Sequence, residues 1–233
     1  MRLGLHQPYF FPYLAYYQLL FAVDRFVAYD DVAWIKGGWI NRNRLLAGHR
    51  AAYFTIPARG ASPHIAIDMV ETAEGNWRTK MLRTCEQGYA RAPYRQPVLE
   101  LLERVLSRSS GLVADLSVAS LEAVRDYLGY STPICRARNR YAGSAARGQE
   151  RVIEICRAEG ATEYLNAIGG SSLYSRDTFR GAGIALRFLK SSVPPMPDNG
   201  PISRPISGLS ILDTLMRFPI EQVRALLAAY ELV

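Results

Sequence analysis

His6 is the side chain in this sequence best suited to moving a proton near neutral pH, because an unperturbed imidazole titrates closer to neutrality than any other side chain. It opens His6-Gln7-Pro8-Tyr9-Phe10-Phe11-Pro12-Tyr13, where a short apolar run gives way to turn-forming and aromatic residues. A general base or acid at that point would have Gln7 beside it to orient a substrate amide or carbonyl. Tyr9 and Tyr13 would stand ready to line the bound group. A histidine that merely caps the loop is the competing reading, since one imidazole carries little catalytic specificity by itself.

Asp30-Asp31 forms a second cluster, followed by Lys36, Trp39, Asn41, Arg42 and Asn43. Two adjacent carboxylates can hold a cation, position His6 or bind a substrate amine. Asp-Asp also opens turns, which is a purely structural use. Lys36 and Arg42 suit a phosphate or carboxylate, and with Asn43 they could hold a donor group or a developing anion. Gly37-Gly38 permits close backbone approach but matches neither a P-loop nor a dinucleotide fingerprint, which weakens an ATPase or NAD reading. In the second half, Asn166, Ser171 and Tyr174 fall at strand ends, and the run Tyr164 to Ser172 could cradle a ligand against His6. Gly169-Gly170 serves equally well as a plain turn.

The elements that would carry these groups follow from hydrophobic periodicity. Arg2–His6 is predicted as a first strand, and Pro12 or Tyr13 to Ala22 as a helix with Leu14, Tyr17, Leu20 and Phe21 on one side. Arg25–Tyr29 is a second strand, closed by Asp30-Asp31. Arg42–Leu46 and Ala52–Pro57 pair as a hairpin around Ala47-Gly48-His49, where Gly48 suits the positive φ of a tight turn. Ile65–Glu71 reads as a further strand. The spacing then predicts helices over Asn76–Arg91, Pro93–Ser107 and Leu112–Leu128. From Thr132 the order is strand, helix, strand, helix, strand: Thr132–Arg138, Gly148–Ala158, Glu163–Asn166, Arg176–Arg180 and Ala185–Leu189. Two helices, Ser210–Arg217 and Pro219–Tyr230, complete the pattern. Such alternation favours parallel strands with right-handed crossovers. The expected fold is therefore α/β, with a mostly parallel central sheet, flanking helices, an N-terminal β-hairpin and a helical insertion near 75–130. All of it is expected to form one domain over 1–233. The Pro-rich stretch 191–208 is too long for an ordinary connection, so it reads as a lid or as an ordered strap.

Composition excludes several classes. In 233 residues, 49% hydrophobic and 21% charged content is ordinary for a globular chain and rules out wholesale disorder. The N-terminus lacks the apolar run and small residues of a secretory leader, and no stretch approaches bilayer length, so a cytoplasmic protein without membrane contact is expected. The three cysteines, Cys85, Cys135 and Cys156, have no close pairing and read as core thiols rather than as a disulfide framework or zinc site. A net charge of +7 favours acidic partners, yet it is spread along the chain without a basic arm, so nucleic acid is not indicated. Arg136, Arg138 and Arg140 alternate and would share one strand face, which could dock an acyl carrier protein or a phosphate-bearing group. The bland alternative is a solvated face. His49 and His64 read as surface residues, and no cofactor is expected.

Taken together, His6-Gln-Pro-Tyr-Phe-Phe-Pro-Tyr13, Tyr29-Asp-Asp-Val32, Ile35-Lys36, Gly38-Trp-Ile-Asn-Arg-Asn-Arg44 and Phe54-Thr-Ile-Pro57 resemble the WbqC-like protein family. Thinner similarity continues through Tyr89–Tyr94, Ile155-Cys156, Gly160–Tyr164, Gly169-Gly170, Tyr174, Phe179, Gly183-Ile184 and Leu209–Asp213. The Pro-rich segment before Leu209 and the Arg136–Arg140 run depart from the pattern. The resemblance implies a place in bacterial polysaccharide or secondary-metabolite biosynthesis.

In that context the residues suit a transferase that moves an activated acyl or aminoacyl group to an amine or hydroxyl acceptor. His6 would be the base, Asp30 or Asp31 would orient it or bind the amine, and Lys36, Arg42 and Asn43 would hold the donor. One alternative is a metal-dependent glycosyl or nucleotidyl transferase using Asp30-Asp31. Another is a non-catalytic carrier or assembly protein with Tyr9, Phe10, Phe11, Tyr13 and Tyr16 as its interface, which needs Phe10 and Phe11 exposed. The catalytic reading requires that His6 and the paired acids converge on one accessible hollow.

Overall fold

Strand β1 (Arg2–His6) buries Leu3, Gly4 and Leu5 in succession, so both of its faces are covered, as in a parallel strand within an α/β sheet. Gly4 sits in a crowded place: a Cβ there would lie 3.2–3.3 Å from the Val23 and Phe26 side chains, which would have to give by a few tenths of an ångström. The computed structural model that shows this describes residues 1–47, 50–194 and 208–233. Helix α1 (Leu14–Phe21) follows β1, then β2 (Arg25–Ala28). Tyr16, Tyr17, Gln18, Leu19 and Leu20 are all buried, so α1 is enclosed around most of its circumference rather than along the single stripe expected.

Strands β3 (Arg42–Ala47) and β4 (Arg50–Thr55) pair antiparallel, from Arg42 opposite Thr55 to Ala47 opposite Arg50. Gly48 and His49, on which the turn expectation falls, lie outside the described residues. The small pair β5 (Ala58–Arg59) and β6 (Glu71–Thr72) comes next. Of the expected strand Ile65–Glu71, residues 65–70 are not a strand, and Glu71 belongs to β6. The segment contains a 3-10 turn over Ile67–Met69, because residues 65–68 are held by isolated backbone bonds to residues 30–34 rather than by a ladder. Helices α2 (Trp77–Gly88), α3 (Arg95–Leu106) and α4 (Val113–Tyr127) form the expected helical insertion.

Strand β7 (Ile134–Arg136) is shorter than expected, because the chain turns at once into the one-turn helix α5 (Ala137–Arg140). After α6 (Gly148–Ala158) come β8 (Glu163–Ala167), a 3-10 turn over Ile168–Leu173, α7 (Arg176–Gly181) and β9 (Ala185–Ser191). Of the Pro-rich stretch, residues 195–207 lie outside the described residues, and the lid or strap expectation with them. The chain closes with α8 (Ile211–Arg217), α9 (Ile220–Ala228) and β10 (Tyr230–Leu232). The last of these replaces the end of an expected helix, because Tyr230–Leu232 pair antiparallel with β9.

The six-stranded sheet has the order β10-β9-β8-β1-β2-β7, with the five strands from β9 to β7 parallel. The fold is thus α/β, with a mostly parallel sheet, flanking helices and an N-terminal hairpin. One face carries α1 to α4, α8 and α9 over Phe26, Leu165 and Leu189. The other carries α5, α6 and α7 over Leu3, Leu5, Val27, Tyr164 and Phe188. From β1 the chain steps through α1 to β2 on one side, whereas from β8 it steps through α7 to β9 on the other. Right-handed crossovers in opposite directions need helices on opposite faces. A crevice must therefore open beyond the carboxyl ends of β1 and β8. No helix among the described residues is long and apolar enough to cross a membrane.

Candidate functional site

A cleft of about 1210 Å³ lies at that switch point. His6 and Gln7 enter it from the end of β1, and Asn166 and Ala167 from the end of β8. Tyr9, Tyr13, Tyr16, Ile168, Leu173 and Leu189 give the lining its aromatic and apolar part. The lining also carries ionisable groups: Asp31, His64, Asp68, Arg138, Arg147 and Arg151. His6 and Asp31 thus share one hollow, whereas Asp30, the other of the paired acids that the catalytic reading places there, is not in the lining.

The loop after β1 is held by bonds to its backbone. Phe11 has a φ of 41°, a left-handed conformation that costs on the order of 1 kcal/mol for a residue with a side chain. Its N–H donates to the Ser120 hydroxyl at 2.9 Å, and its carbonyl accepts from Asn43 Nδ2 at 3.1 Å and the Ser210 hydroxyl at 2.7 Å. The Phe10 N–H donates to the Ile40 carbonyl at 3.0 Å. Phe10 and Phe11 are both 0% exposed, which removes the expected aromatic interface: these rings anchor the loop in the core.

His6 comes out of this with a defined tautomer. Its Nδ1 lies 3.0 Å from the Gln7 carbonyl. A carbonyl only accepts, so Nδ1 carries the proton and the neutral ring keeps its lone pair on Nε2. Nε2 has no protein partner among the described residues. The rings of Tyr9 and Tyr16 meet the imidazole edge-on at 4.9 Å each, and the Tyr16 hydroxyl donates to the Gln7 carbonyl at 2.8 Å. Removal from water lowers the His6 pKa below its usual 6.5, partly offset by the Gln7 bond, so the ring is neutral at pH 7. The same burial pushes Tyr9 up to about 12 and Tyr16 well above its ordinary value, so both phenols keep their protons.

The paired acids divide. Asp30 is 0% exposed, and its oxygens accept from the Arg136 guanidinium and, at 3.0 Å, from the Arg138 N–H. It fastens β2 to β7 and does not reach the cleft. Arg136 also pairs with Asp115, Arg138 lies 3.4 Å from Asp68, and Arg140 pairs with the buried Glu159. The expected basic docking row is therefore absent. The strand that would have aligned it ends at Arg136, and the three guanidiniums serve internal carboxylates. Asp31 does line the cleft, where one oxygen accepts from Arg151 Nη2 at 3.0 Å.

Lys36, Trp39, Asn41, Arg42 and Asn43 lie outside the cleft lining. Asn43 is buried and holds Phe11; Asn41 donates to the Ile56 carbonyl at 2.8 Å. Arg42 donates to the Gly38 carbonyl at 3.0 Å and lies 4.8 Å from the Tyr53 ring, while Trp39 packs near Tyr53 and Arg44. Lys36 is exposed on the preceding turn. Asn166 lines the cleft with its amide engaged, donating to the Tyr164 hydroxyl at 2.9 Å and accepting from the Ala167 N–H at 2.7 Å. Gly170 packs so closely over that amide that a Cβ would meet it at 3.2–3.3 Å. Tyr174, also in the lining, packs edge-on against Tyr164 and Phe179.

Sequence reasoning missed Asp68, Arg138, Arg147 and Arg151 as cleft residues; His64 is exposed, as expected, and also belongs to the cleft lining. Arg151 did leave a signal: it stands beside Val152 and four before Ile155, an arginine within an apolar helical stripe. It is 6% exposed. Asp68 left none, a single acid in a segment read as a strand. Burial raises its carboxyl pKa against the pull of Arg138, and Asp30 and Asp31 add to the rise.

Cys85 and Cys156 are buried, as expected, and burial pushes both thiols up to about 12. Cys135 is half-buried, with its pKa also raised by burial.

Comparison with known proteins agrees with this architecture. The profile described as the WbqC-like protein family matches residues 7–225. A curated relative, "Uncharacterized protein Rv1507c" of Mycobacterium tuberculosis, is 26% identical over 186 residues, covering 76% of this chain and 77% of the relative. No solved structure matches.

Proposed function

The chain belongs to the WbqC-like protein family, and on that premise we propose that it is a transferase acting in polysaccharide or secondary-metabolite biosynthesis. It moves an activated acyl or aminoacyl group to an amine or hydroxyl acceptor bound in the cleft. The observation that carries this reading is the state of His6: a neutral imidazole with Nδ1 committed to the Gln7 carbonyl and Nε2 free, in the same hollow as Asp31. Such a ring is a general base set to receive a proton.

In the reaction, the acceptor N–H or O–H gives its proton to His6 Nε2 while its lone pair forms the new bond to the acyl carbon. The bond from that carbon to the leaving group then breaks, and His6 returns the proton to the departing group. Asp31 faces the acceptor and Arg138, Arg147 or Arg151 the developing negative charge. The tyrosines of the lining, Tyr9, Tyr13 and Tyr174, pack against the acyl chain. Asp30 and Arg42, given direct roles on sequence grounds, act instead through the scaffold, and Lys36 stands exposed outside the cleft lining. A divalent cation at Asp30-Asp31 has little to recommend it, because both Asp30 oxygens already serve arginine donors.

The test uses acyl- and aminoacyl-pantetheine thioesters with a panel of amines and amino sugars, products being read by mass spectrometry. His6→Ala should lower kcat/KM by about 100-fold or more, the usual scale of a lost general base, while its melting temperature stays near that of the wild type. Should the alanine variant unfold, His6→Gln supplies the same test. A folded variant with wild-type turnover removes His6 from the chemistry.

A further inference from the structure

Two phenols in the lining of the cleft are left unengaged by the fold. Other buried tyrosine hydroxyls are tied down, as buried phenols generally are. Tyr16 donates to the Gln7 carbonyl at 2.8 Å, Tyr17 to the Ser120 carbonyl at 3.5 Å and Tyr89 to Asp213 at 2.9 Å, while Tyr164 accepts from Asn166 at 2.9 Å. The Tyr9 and Tyr13 hydroxyls have no hydrogen-bond partner among the described residues, and both side chains are half-buried in the lining. Neither phenol oxygen is sealed from water, so a molecule in the cleft can reach it.

Both phenols stand beside the base. The Tyr9 ring meets the His6 imidazole edge-on at 4.9 Å and lies 5.5 Å from the Tyr16 ring. Burial raises the Tyr9 pKa and Tyr13 adds to the rise; burial also raises Tyr16, with Tyr9 and Tyr13 among the contributors, so the three phenols lie close together. Burial raises Tyr13 too, and both free hydroxyls therefore keep their protons and can donate. The loop fixes their place. Tyr9 and Tyr13 flank Phe10-Phe11-Pro12, where both phenyl rings are fully buried and the left-handed Phe11 backbone is held by Ser120, Asn43 and Ser210. Strain held by three side chains, next to unspent donors, is the pattern of a preorganised site.

We propose that the Tyr9 and Tyr13 hydroxyls donate hydrogen bonds to the oxygen of the carbonyl that the acceptor attacks. When the acceptor's lone pair adds to the carbon, the C=O π pair moves onto that oxygen, and the two O–H groups take up the charge without giving up their protons. When the pair returns, the bond to the leaving group breaks and His6 supplies the proton. Two neutral donors suit an oxygen that is uncharged in the bound donor and charged only at the tetrahedral stage. A phosphoryl group is charged from the start and would call on guanidinium forks. Here Arg151 is spent on Asp31 and the Tyr141 carbonyl, and Arg138 lies 3.4 Å from Asp68. The arginines set a field over the cleft, and the phenols add the short contacts.

This deepens the transferase reading and rests on it for the chemical step, but its first test needs no turnover. Isothermal titration of the full chain at pH 7 would compare singly charged tetrahedral mimics with their neutral esters: ethyl methylphosphonate with ethyl acetate, ethyl pentylphosphonate with ethyl hexanoate, and ethyl benzylphosphonate with ethyl phenylacetate. At least one phosphonate should bind about tenfold or more tightly than its ester, and Tyr9→Phe and Tyr13→Phe should each lose about that factor, the scale of a hydrogen bond to a charged group. Ester binding and melting temperature should stay near those of the wild type, because each variant keeps the ring and loses a hydroxyl that holds nothing in the fold. On thioesters, kcat should fall by about 100-fold with KM little changed. A loss in one variant alone assigns the oxygen to that phenol, and Tyr13→Phe carries the test should Tyr9→Phe fail to fold. Equal affinity within all three pairs, unchanged phosphonate binding in both folded variants, or a raised KM with unchanged kcat overturns the proposal. Because the phosphonates do not react, normal turnover in His6→Ala would sink the base and leave this titration standing.

Discussion

At the scale of single residues, His6 differs from an ordinary histidine in two respects: its tautomer is fixed by the Gln7 carbonyl, and its protonation is opposed by burial. A base whose folded pKa lies below 6.5 stays unprotonated at pH values where a free imidazole would be half charged. The acid limb of kcat/KM should therefore fall below pH 6.5, and an NMR titration of the ring should place its midpoint there too. The sign for stability is the same. In the interval between the folded pKa and 6.5 the unfolded chain binds more protons, so stability rises with pH through that window and is lost on acidification. A limb at or above 6.5 would mean that the ring is solvated during turnover. The thiols make a second contrast. With Cys85 and Cys156 pushed up to about 12 by burial, native protein at pH 8 should react with iodoacetamide first at Cys135, and Cys156→Ala should leave transfer intact.

At the scale of elements, the segment from Gly38 to Arg44, which reads on the page as a donor-binding stretch, is the brace of the loop that follows β1. Asn43 from β3, Ser120 from α4 and Ser210 ahead of α8 converge on Phe11 and over-determine a backbone that would otherwise relax. Ser120→Ala leaves the buried Phe11 N–H unsatisfied and should cost about 1–3 kcal/mol by chemical denaturation. If its stability instead matches the wild type, the Ser120 bond is not what holds the left-handed residue. The two adjacent aspartates should separate just as clearly. Asp30→Asn breaks a buried pair between β2 and β7 and should destabilise the fold by about 3 kcal/mol. Asp31→Asn, at the cleft wall, should cost little stability and should act on acceptor binding. Equal melting temperatures for the two variants would contradict that division.

At the scale of the whole molecule, the cleft exists because the chain reverses its direction across the sheet between β1 and β8. The antiparallel β10 protects the β9 edge, and the Val233 and Phe188 backbones exchange two further bonds of 2.9 Å. Ending the chain after Ala229 should uncover that edge, lower the melting temperature and promote concentration-dependent association seen by light scattering. Much of this architecture was legible from local pattern, since apolar runs in β1, β2, β8 and β9 and helical stripes in α2, α3, α4 and α6 follow from short-range periodicity. Where the pattern is short or mixed, tertiary pairing decides instead: residues 65–70 lost their strand to isolated bonds with residues 30–34, and Tyr230 left its helix to pair with β9. The same division runs through the candidate site. The sequence alone determined an α/β chain of the WbqC-like family with an imidazole at the end of its first strand, because strand periodicity and a dense N-terminal motif are local properties. Only the tertiary structure decided which acid of Asp30-Asp31 faces the cleft, that Asp68 joins it, and that Arg136, Arg138 and Arg140 turn to internal carboxylates. A charged side chain's role depends on which opposite charge the fold brings within a few ångströms, and that is set by contacts across tens of residues.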